Sequence, residues 1–424
     1  MEEAQASIVE VCQNMHSMLS TEEIKNLVIT ELNVLKGIPL DTVMYGKDLL
    51  NQVLKDHVES FICYTRGKKG QQCIEIQEPT VYVYKLTAES AATETMENGG
   101  SDLPISFHWI LPAKEFHYLW ENLYFEPGVK ENLLNFVETA MIFSEHKVNS
   151  NIINCNKVVL LHGPPGSGKT SLCKALAQKM TIVLGNRFTH GELVEINSHS
   201  LFSKWFSESG KLVMQLFSEL RHLLENPQAL VCILIDEVET LAHARKACSN
   251  GIEPTDSIRV VNALLTQLDQ IKQYPNVLIL TTSNLSEAID LAFIDRADIK
   301  QYIGQPSNEA IYHIYHSCLT ELMRTKLVEE EKTSELENIY SKLKNLSRMS
   351  AGLSGRSLRK IPFLTYAFHL QNKQCTLKRF LSAMYVTIIE QKKSDLFIDR
   401  TRKISIHSAP SNDAEIKDAD RLRR

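Results

Sequence analysis

The chain has 424 residues, 43% of them hydrophobic and 23% charged, with a formal net charge of −5 and a pI near 6.3. That length exceeds one compact core and points to about two to four structural units. The mildly acidic balance supplies no field for a polyanion, so direct nucleic-acid binding is not expected, and the longest apolar runs, Val158 to Leu161 and Val231 to Ile235, fall far short of the ~18 to 20 residues that cross a bilayer.

The opening Met1-Glu2-Glu3-Ala4-Gln5 lacks the basic and apolar regions of a secretory signal, so the cytosol or nucleus is the expected location. The nine cysteines are scattered, with no Cys-x-x-Cys pair, and imply neither a disulfide framework nor a zinc site. Ile8, Val11, Cys12, Met15, Met18 and Leu19 recur at helical spacing, whereas Thr80 to Leu86 alternate as a strand does. Residues 1–90 therefore read as a small α+β domain. Ala88 to Asp102 are polar, Gly-bearing and aperiodic, and residues 91–106 are expected to be a linker.

From 107 to 306, short β-branched runs alternate with amphipathic helices, the pattern of an α/β unit built on a parallel sheet. Strands are expected at 157–162, 193–197, 229–236 and 276–283. Phe107 to Pro112 and Trp120 read as structure where this unit begins, not as a ligand box. Residues 307–402 are expected to be almost wholly helical, with an acidic break at Glu329-Glu330-Glu331-Lys332, and residues 403–424 to be a disordered polar tail.

Gly163-Pro164-Pro165-Gly166-Ser167-Gly168-Lys169-Thr170 matches G-x-x-x-x-G-K-[ST] in full, follows an apolar strand and opens a helix at Ser171. Glycines let successive N–H groups face phosphate oxygens, and the helix N-terminus adds partial positive charge. On this reading the loop and Ser171 hold ATP, Lys169 neutralises the β- and γ-phosphates, and Thr170 offers a hydroxyl to Mg²⁺. A Gly-rich turn without a ligand has no use for the Lys-Thr pair.

Val231 to Ile235 form an apolar strand that ends in Asp236 and Glu237. Asp236 can hold Mg²⁺ through water, and Glu237 can polarise the water that attacks the γ-phosphate. Nucleotide kinases transfer phosphate to an acceptor and need no hydrolytic Glu beside the metal-binding Asp, so the pair favours hydrolysis. Asn284 ends the next strand, where its amide either bonds the attacking water or γ-phosphate, or simply makes the turn.

These motifs, with Thr281-Thr282-Ser283-Asn284, Ile289-Asp290, Asp295-Arg296 and Ile303-Gly304-Gln305-Pro306, resemble in order and spacing the AAA+ ATPase core over residues 107 to 400. More narrowly, Glu195 to Lys211, Arg296 to Gly304 and Gly352-Leu353-Ser354-Gly355-Arg356 are similar to the pachytene checkpoint, or thyroid-receptor-interacting, family of AAA+ remodellers. The resemblance implies a P-loop core, a helical lid and a homohexamer with nucleotide between neighbours. It also implies HORMA-domain substrates converted from a closed to an open state, and a HORMA-like adaptor. Roles in meiotic chromosome-axis and spindle-checkpoint control follow, in the nucleus at chromosomes and kinetochores and in the cytoplasm.

By the same resemblance Arg296 is an arginine finger directed at the next subunit's γ-phosphate, although Phe293 and Ile294 stand where a second arginine is usual; pairing with Asp295 or Asp298 on the surface is the alternative. Arg356 matches the family's second sensor, against an ordinary basic helix face with Arg359 and Lys360. Lys204-Trp205-Phe206-Ser207 sits in a loop where an aromatic pair is hard to explain as core, and a ring of such loops would grip an extended peptide; Trp205 packed beneath its own loop is the alternative. His243 to Asp256, with Arg245, Lys246 and Gly251, resembles a second pore loop. A AAA+ motor on nucleic acid and a non-catalytic ATP-bound scaffold are the competing functions.

Overall fold

Every side chain from Ser7 to Gln13 is buried, and burial on both faces erases the alternation by which a strand is read from sequence. The expected opening helix is therefore strand β1 (Ser7–Gln13) in the computed structural model, which describes residues 7–35, 38–65, 73–74, 79–94, 106–198, 209–240, 256–284, 291–329, 336–371 and 374–407. Buried Ser7, Glu10 and Gln13 break the apolar run at three-residue intervals and give it its helix-like spacing. The true first helix, α1 (Thr21–Val34), starts at Ser20, whose side chain forms a capping box with Glu23. The chain continues through β2 (Ile38–Pro39), β3 (Val43–Tyr45), α2 (Gln52–His57), β4 (Val58–Thr65), β5 (Cys73–Ile74) and β6 (Thr80–Lys85), giving a four-stranded sheet of order β3-β4-β1-β6.

A second, seven-stranded sheet has the order β13-β9-β12-β11-β10-β8-β7. Its strands are β7 (Ala92–Glu94), β8 (Ser106–Leu111), β9 (Val158–His162), β10 (His190–Asn197), β11 (Ala229–Asp236), β12 (Val277–Ser283) and β13 (Ile299–Tyr302). The five from β13 to β10 pair in parallel, and β8 and β7 add antiparallel edges. Residues 92–94, expected within a linker, thus belong to the sheet. Their polar composition suits an edge, which demands little apolar surface.

Successive residues of the parallel strands serve opposite faces. Val158, Leu160, Ile233, Ile235, Val277 and Ile279 pack against α5 (Ser209–Leu224) and α6 (Asp256–Ile271) through Phe217, Leu220, Leu264 and Leu268. Val159, Leu161, Cys232, Leu234, Leu278 and Leu280 pack against α3 (Val129–Glu145) and α4 (Lys169–Val183) through Leu133, Val137, Leu172 and Leu176. Full burial of each aliphatic side chain contributes about 1.5–3 kcal/mol, so this two-faced core fixes where the strand ends lie.

The N-terminal sheet meets α4 through a buried charge cluster. Lys179, 4% exposed, donates to Glu10 of β1 at 2.7 Å and to Glu121 at 3.3 Å, and its ammonium lies 4.5 Å from the Tyr64 ring centroid. The Tyr64 hydroxyl donates to the other Glu10 oxygen at 2.6 Å. Burial alone lowers the Lys179 pKa, but the two carboxylates outweigh it and hold the amine above its ordinary value, so it stays charged. Lys179→Met leaves Glu10 buried without its cation and is expected to cost about 3–5 kcal/mol, read as a lower denaturant midpoint; an unchanged midpoint would show that the cluster contributes nothing.

The chain divides into two compact units, Met1–Gly304 and Gln305–Arg424. The second contains α7's successors α8 (Asn308–Arg324), α9 (Leu336–Met349), α10 (Gly355–Thr365) and α11 (Leu377–His407), where α7 is Leu291–Arg296 of the first unit, and a short parallel pair, β14 (Val328–Glu329) with β15 (Cys375–Thr376). Its core is tied by the buried Tyr315 hydroxyl, which donates to Ser350 Oγ at 2.7 Å. Helix α11 continues to His407, so residues 403–407, expected to begin a disordered tail, are helical. No described helix is long and apolar enough to cross a membrane.

Candidate active site

Strands β9, β12 and β11 are neighbours with β12 in the middle, so their C-terminal ends emerge side by side at the edge where ligands bind in parallel α/β sheets. The P-loop leaves β9, Asp236 ends β11, and Asn284 follows β12. Residues distant in sequence therefore converge without any loop having to reach.

Gly163 adopts φ +144°, and a Cβ there would lie 2.1 Å from the Ile303 carbonyl oxygen, so only glycine lets the loop pass the strand beside it. Pro164, Pro165, Gly166 and Ser167 make the bend, and Gly168, at φ +101°, caps α4. Lys169 is 5% exposed, and its Nζ donates to the carbonyls of Gly163 and Pro164 and to Asn284 Oδ1, each at 2.9 Å. Thr170 and Ser171 lie in the first turn of α4, whose N–H groups face the loop.

The Thr170 hydroxyl donates to Asp236 Oδ1 at 2.9 Å, and the Thr282 hydroxyl donates to the same oxygen. A hydroxyl and a carboxylate oxygen brought together at the phosphate loop are hard donors of the kind Mg²⁺ takes, so the residues present fit that ion. Among the described residues no group of three or more His, Cys, Asp or Glu forms a separate metal site.

Glu237 has φ +58°, a left-handed conformation that costs a non-glycine residue about 1–3 kcal/mol. It is held by its N–H, which donates to Thr282 Oγ1 at 3.2 Å, and by Val238 N–H, which donates to the Thr282 carbonyl at 2.9 Å. The turn directs the carboxylate toward Asn284, whose Nδ2 donates to Glu237 Oε1 at 3.0 Å. One amide thus bridges the Lys169 ammonium through its oxygen and the Glu237 carboxylate through its nitrogen; a flipped amide would face each partner with the wrong charge. The Asn284 backbone N–H donates to Glu239 Oε1 at 3.0 Å. Glu239, 7% exposed, was not singled out from sequence; its only signal is a third acid two residues beyond Glu237. Burial first, and then the Lys169 charge, push His162 below its ordinary pKa, so it adds no competing cation at neutral pH.

Arg296 ends α7 and forms a two-pronged ion pair with Asp269 of α6, Nε to Oδ1 at 3.1 Å and Nη2 to Oδ2 at 2.7 Å. Neither surface partner offered by the sequence is used: Asp298 instead accepts from the backbone of Asn156 and Val158 at 3.1 and 3.0 Å. Arg356 is the second residue of α10 and exposed, in the second unit, after an N-cap in which Ser354 accepts from Ser357 N–H. Lys204, Trp205, Phe206 and Ser207, residues 243–255 of the second loop, and Ile289-Asp290 lie outside the described residues.

A protein-family model described as "ATPase family associated with various cellular activities (AAA)" matches residues 159–305, and one described as "TRIP13-like, AAA+ ATPase lid C-terminal domain" matches 307–339 and 330–392. The Pachytene checkpoint protein 2 homolog of Gallus gallus is 48% identical over 405 residues, covering 90% of this chain and 92% of that protein. The Homo sapiens homolog is 52% identical over 339 residues, covering 76% and 78% respectively. Among solved structures, C. elegans PCH-2 is 32% identical with a TM-score of 0.77 and covers 92% of this chain and 100% of that one. A chain of the E. coli MS115-1 HORMA:CdnC:Trip13 complex, 19% identical with a TM-score of 0.52, covers 66% of this chain and 93% of that one and shares its fold. The likeness runs through both units and includes the lid that distinguishes this branch from other P-loop proteins, so the chain belongs to the pachytene checkpoint protein 2 family and is an AAA+ ATPase.

Proposed function

We propose that this ATPase works as a homohexamer that couples ATP hydrolysis to partial unfolding of HORMA-domain proteins, converting them from a closed to an open state. The observation that carries the hydrolytic half is the Asn284 amide joining Lys169 to Glu237, beside the Thr170–Asp236 oxygen pair. Lys169 and the α4 N-terminus hold the phosphates, Asn284 orients water, and Glu237 takes its proton as it attacks the γ-phosphate. Thr170 and Asp236 would hold Mg²⁺, which would supply positive charge beside the phosphates when bound. Arg296 serves the neighbouring subunit's nucleotide, and Arg356 reports nucleotide state to the lid from within its own subunit.

The substrate half rests on the family. The relatives are named for the pachytene checkpoint, and the E. coli chain of the same fold is named in a complex with a HORMA protein. Lys204-Trp205-Phe206-Ser207 grip the extended substrate in the ring's pore, and residues 1–90 receive substrate or a HORMA-like adaptor. Meiotic chromosome-axis and spindle-checkpoint control, in the nucleus at chromosomes and kinetochores and in the cytoplasm, follow from the same reading. Trp205→Ala tests the grip: basal ATP turnover is expected to persist while conversion of a closed HORMA protein is lost. Loss of both activities would make Trp205 a packing residue, and retention of both would remove it from the mechanism.

A further inference from the structure

A guanidinium has five N–H donors, and Arg296 commits three of them within its own chain. Two go to Asp269, and Nη1 donates to the Ala292 carbonyl at 2.7 Å. Two N–H groups remain on the terminal nitrogens, in a plane that the carboxylate fork fixes. The pair sits in a depression whose walls include Val158, Ile279 and Phe293, so its inner side is largely apolar. Its outer side meets water: the Arg296 and Asp269 side chains are 27% and 37% exposed.

Exposure of that degree decides what the pair is for. An ion pair in contact with water contributes little to stability, yet this one has the two-pronged geometry that fixes direction as well as distance. Burial acts to raise the Asp269 pKa, and the bonds from Arg296 and Lys272 outweigh it, so the carboxyl stays ionised well below neutral pH. Lys272 Nζ lies 3.0 Å from Asp269 Oδ1. Two cations therefore share one carboxylate, and the cluster keeps a net positive charge to present outward. We infer that Asp269 is a positioning residue: its carboxylate on α6 holds the Arg296 guanidinium in the orientation from which it acts on the nucleotide of the neighbouring subunit. A long side chain ordered in advance loses no freedom when charge develops on the phosphate, which is how preorganised donors accelerate a reaction.

The inference rests on the proposed trans role of Arg296, and subunit mixing separates the two. Rings mixed from Arg296→Ala subunits, whose own sites are chemically intact, and Glu237→Gln subunits, which keep Arg296, are expected to regain turnover that neither variant shows alone. Adding Asp269→Asn to the Glu237→Gln subunit is expected to lower the regained turnover about ten- to a hundredfold, through kcat with the ATP KM little changed, at an unaltered assembly size. If the parent mixture regains nothing, the trans role of Arg296 fails. If it regains turnover that Asp269→Asn leaves intact or raises, the positioning role fails alone, and a rise would mean that Asp269 restrains the arginine. Should Asp269→Asn prevent assembly, Asp269→Glu, which keeps the charge but displaces the fork, is read in the same mixture; full turnover from it would also overturn the inference.

Discussion

Glu237→Gln is expected to lower ATP hydrolysis about 10²- to 10⁴-fold while ATP stays bound. The amide has the shape of the carboxylate and keeps an oxygen for the Asn284 Nδ2 bond, now 3.0 Å long, so the local geometry survives. What disappears is the base. The Lys169 bonds to the Gly163 and Pro164 carbonyls and to Asn284 Oδ1 do not run through the Glu237 side chain, and neither does the Thr170–Asp236 pair. Single-turnover hydrolysis read beside nucleotide binding checks this. Loss of binding together with hydrolysis would mean that Glu237 supports the site's structure, through its left-handed backbone, more than its chemistry.

Arg296→Ala is expected to have the larger effect, about 10³- to 10⁵-fold on turnover, because charge spreads onto the phosphoryl oxygens in the transition state and an arginine from the next subunit meets it. The competing explanation is that Arg296 only ties α7 to α6. A pair 27% and 37% exposed is weak for that purpose, so the variant should unfold at nearly the wild-type midpoint. Turnover near that of the wild type, in a protein shown to assemble, would leave Arg296 a surface ion pair.

The parts of the site legible in the sequence are those in which chemistry and geometry share one short segment. Gly163 to Thr170 specify their own bend, and Asp236-Glu237 lie at the end of an apolar run that can only be a buried strand. Asn284 is intermediate: its place after a strand was visible, but its bridge between Lys169 and Glu237 depends on β12 lying between β9 and β11. Glu239 and Asp269 were not legible, since each acts on a residue brought close by strand order or helix packing, and an acid on a loop or helix looks the same whether or not it holds a partner.

The misread elements fail for related reasons. Strand β1 is covered on both faces, so polar residues fall where its neighbours supply partners: Glu10 meets Lys179 and Tyr64, and Gln13 donates to Ser17 Oγ and the Leu19 carbonyl. No alternation survives such an environment. Residues 92–94 form a sheet edge from a sequence that reads as linker, because an edge strand with one partner is stabilised by backbone bonds more than by its side chains. At the other end, 403–407 continue a helix begun at Leu377, where length and not local composition sustains the structure.

The most direct test is steady-state ATP turnover by the wild-type protein as a closed HORMA-domain protein is titrated in, with the fraction of that protein converted to the open state followed in the same reaction. Turnover that rises with the HORMA protein, and conversion that stops when Glu237→Gln replaces the wild type, is the predicted result. Turnover indifferent to every HORMA protein offered, with no conversion, would leave the ATPase standing and contradict the remodelling of HORMA domains.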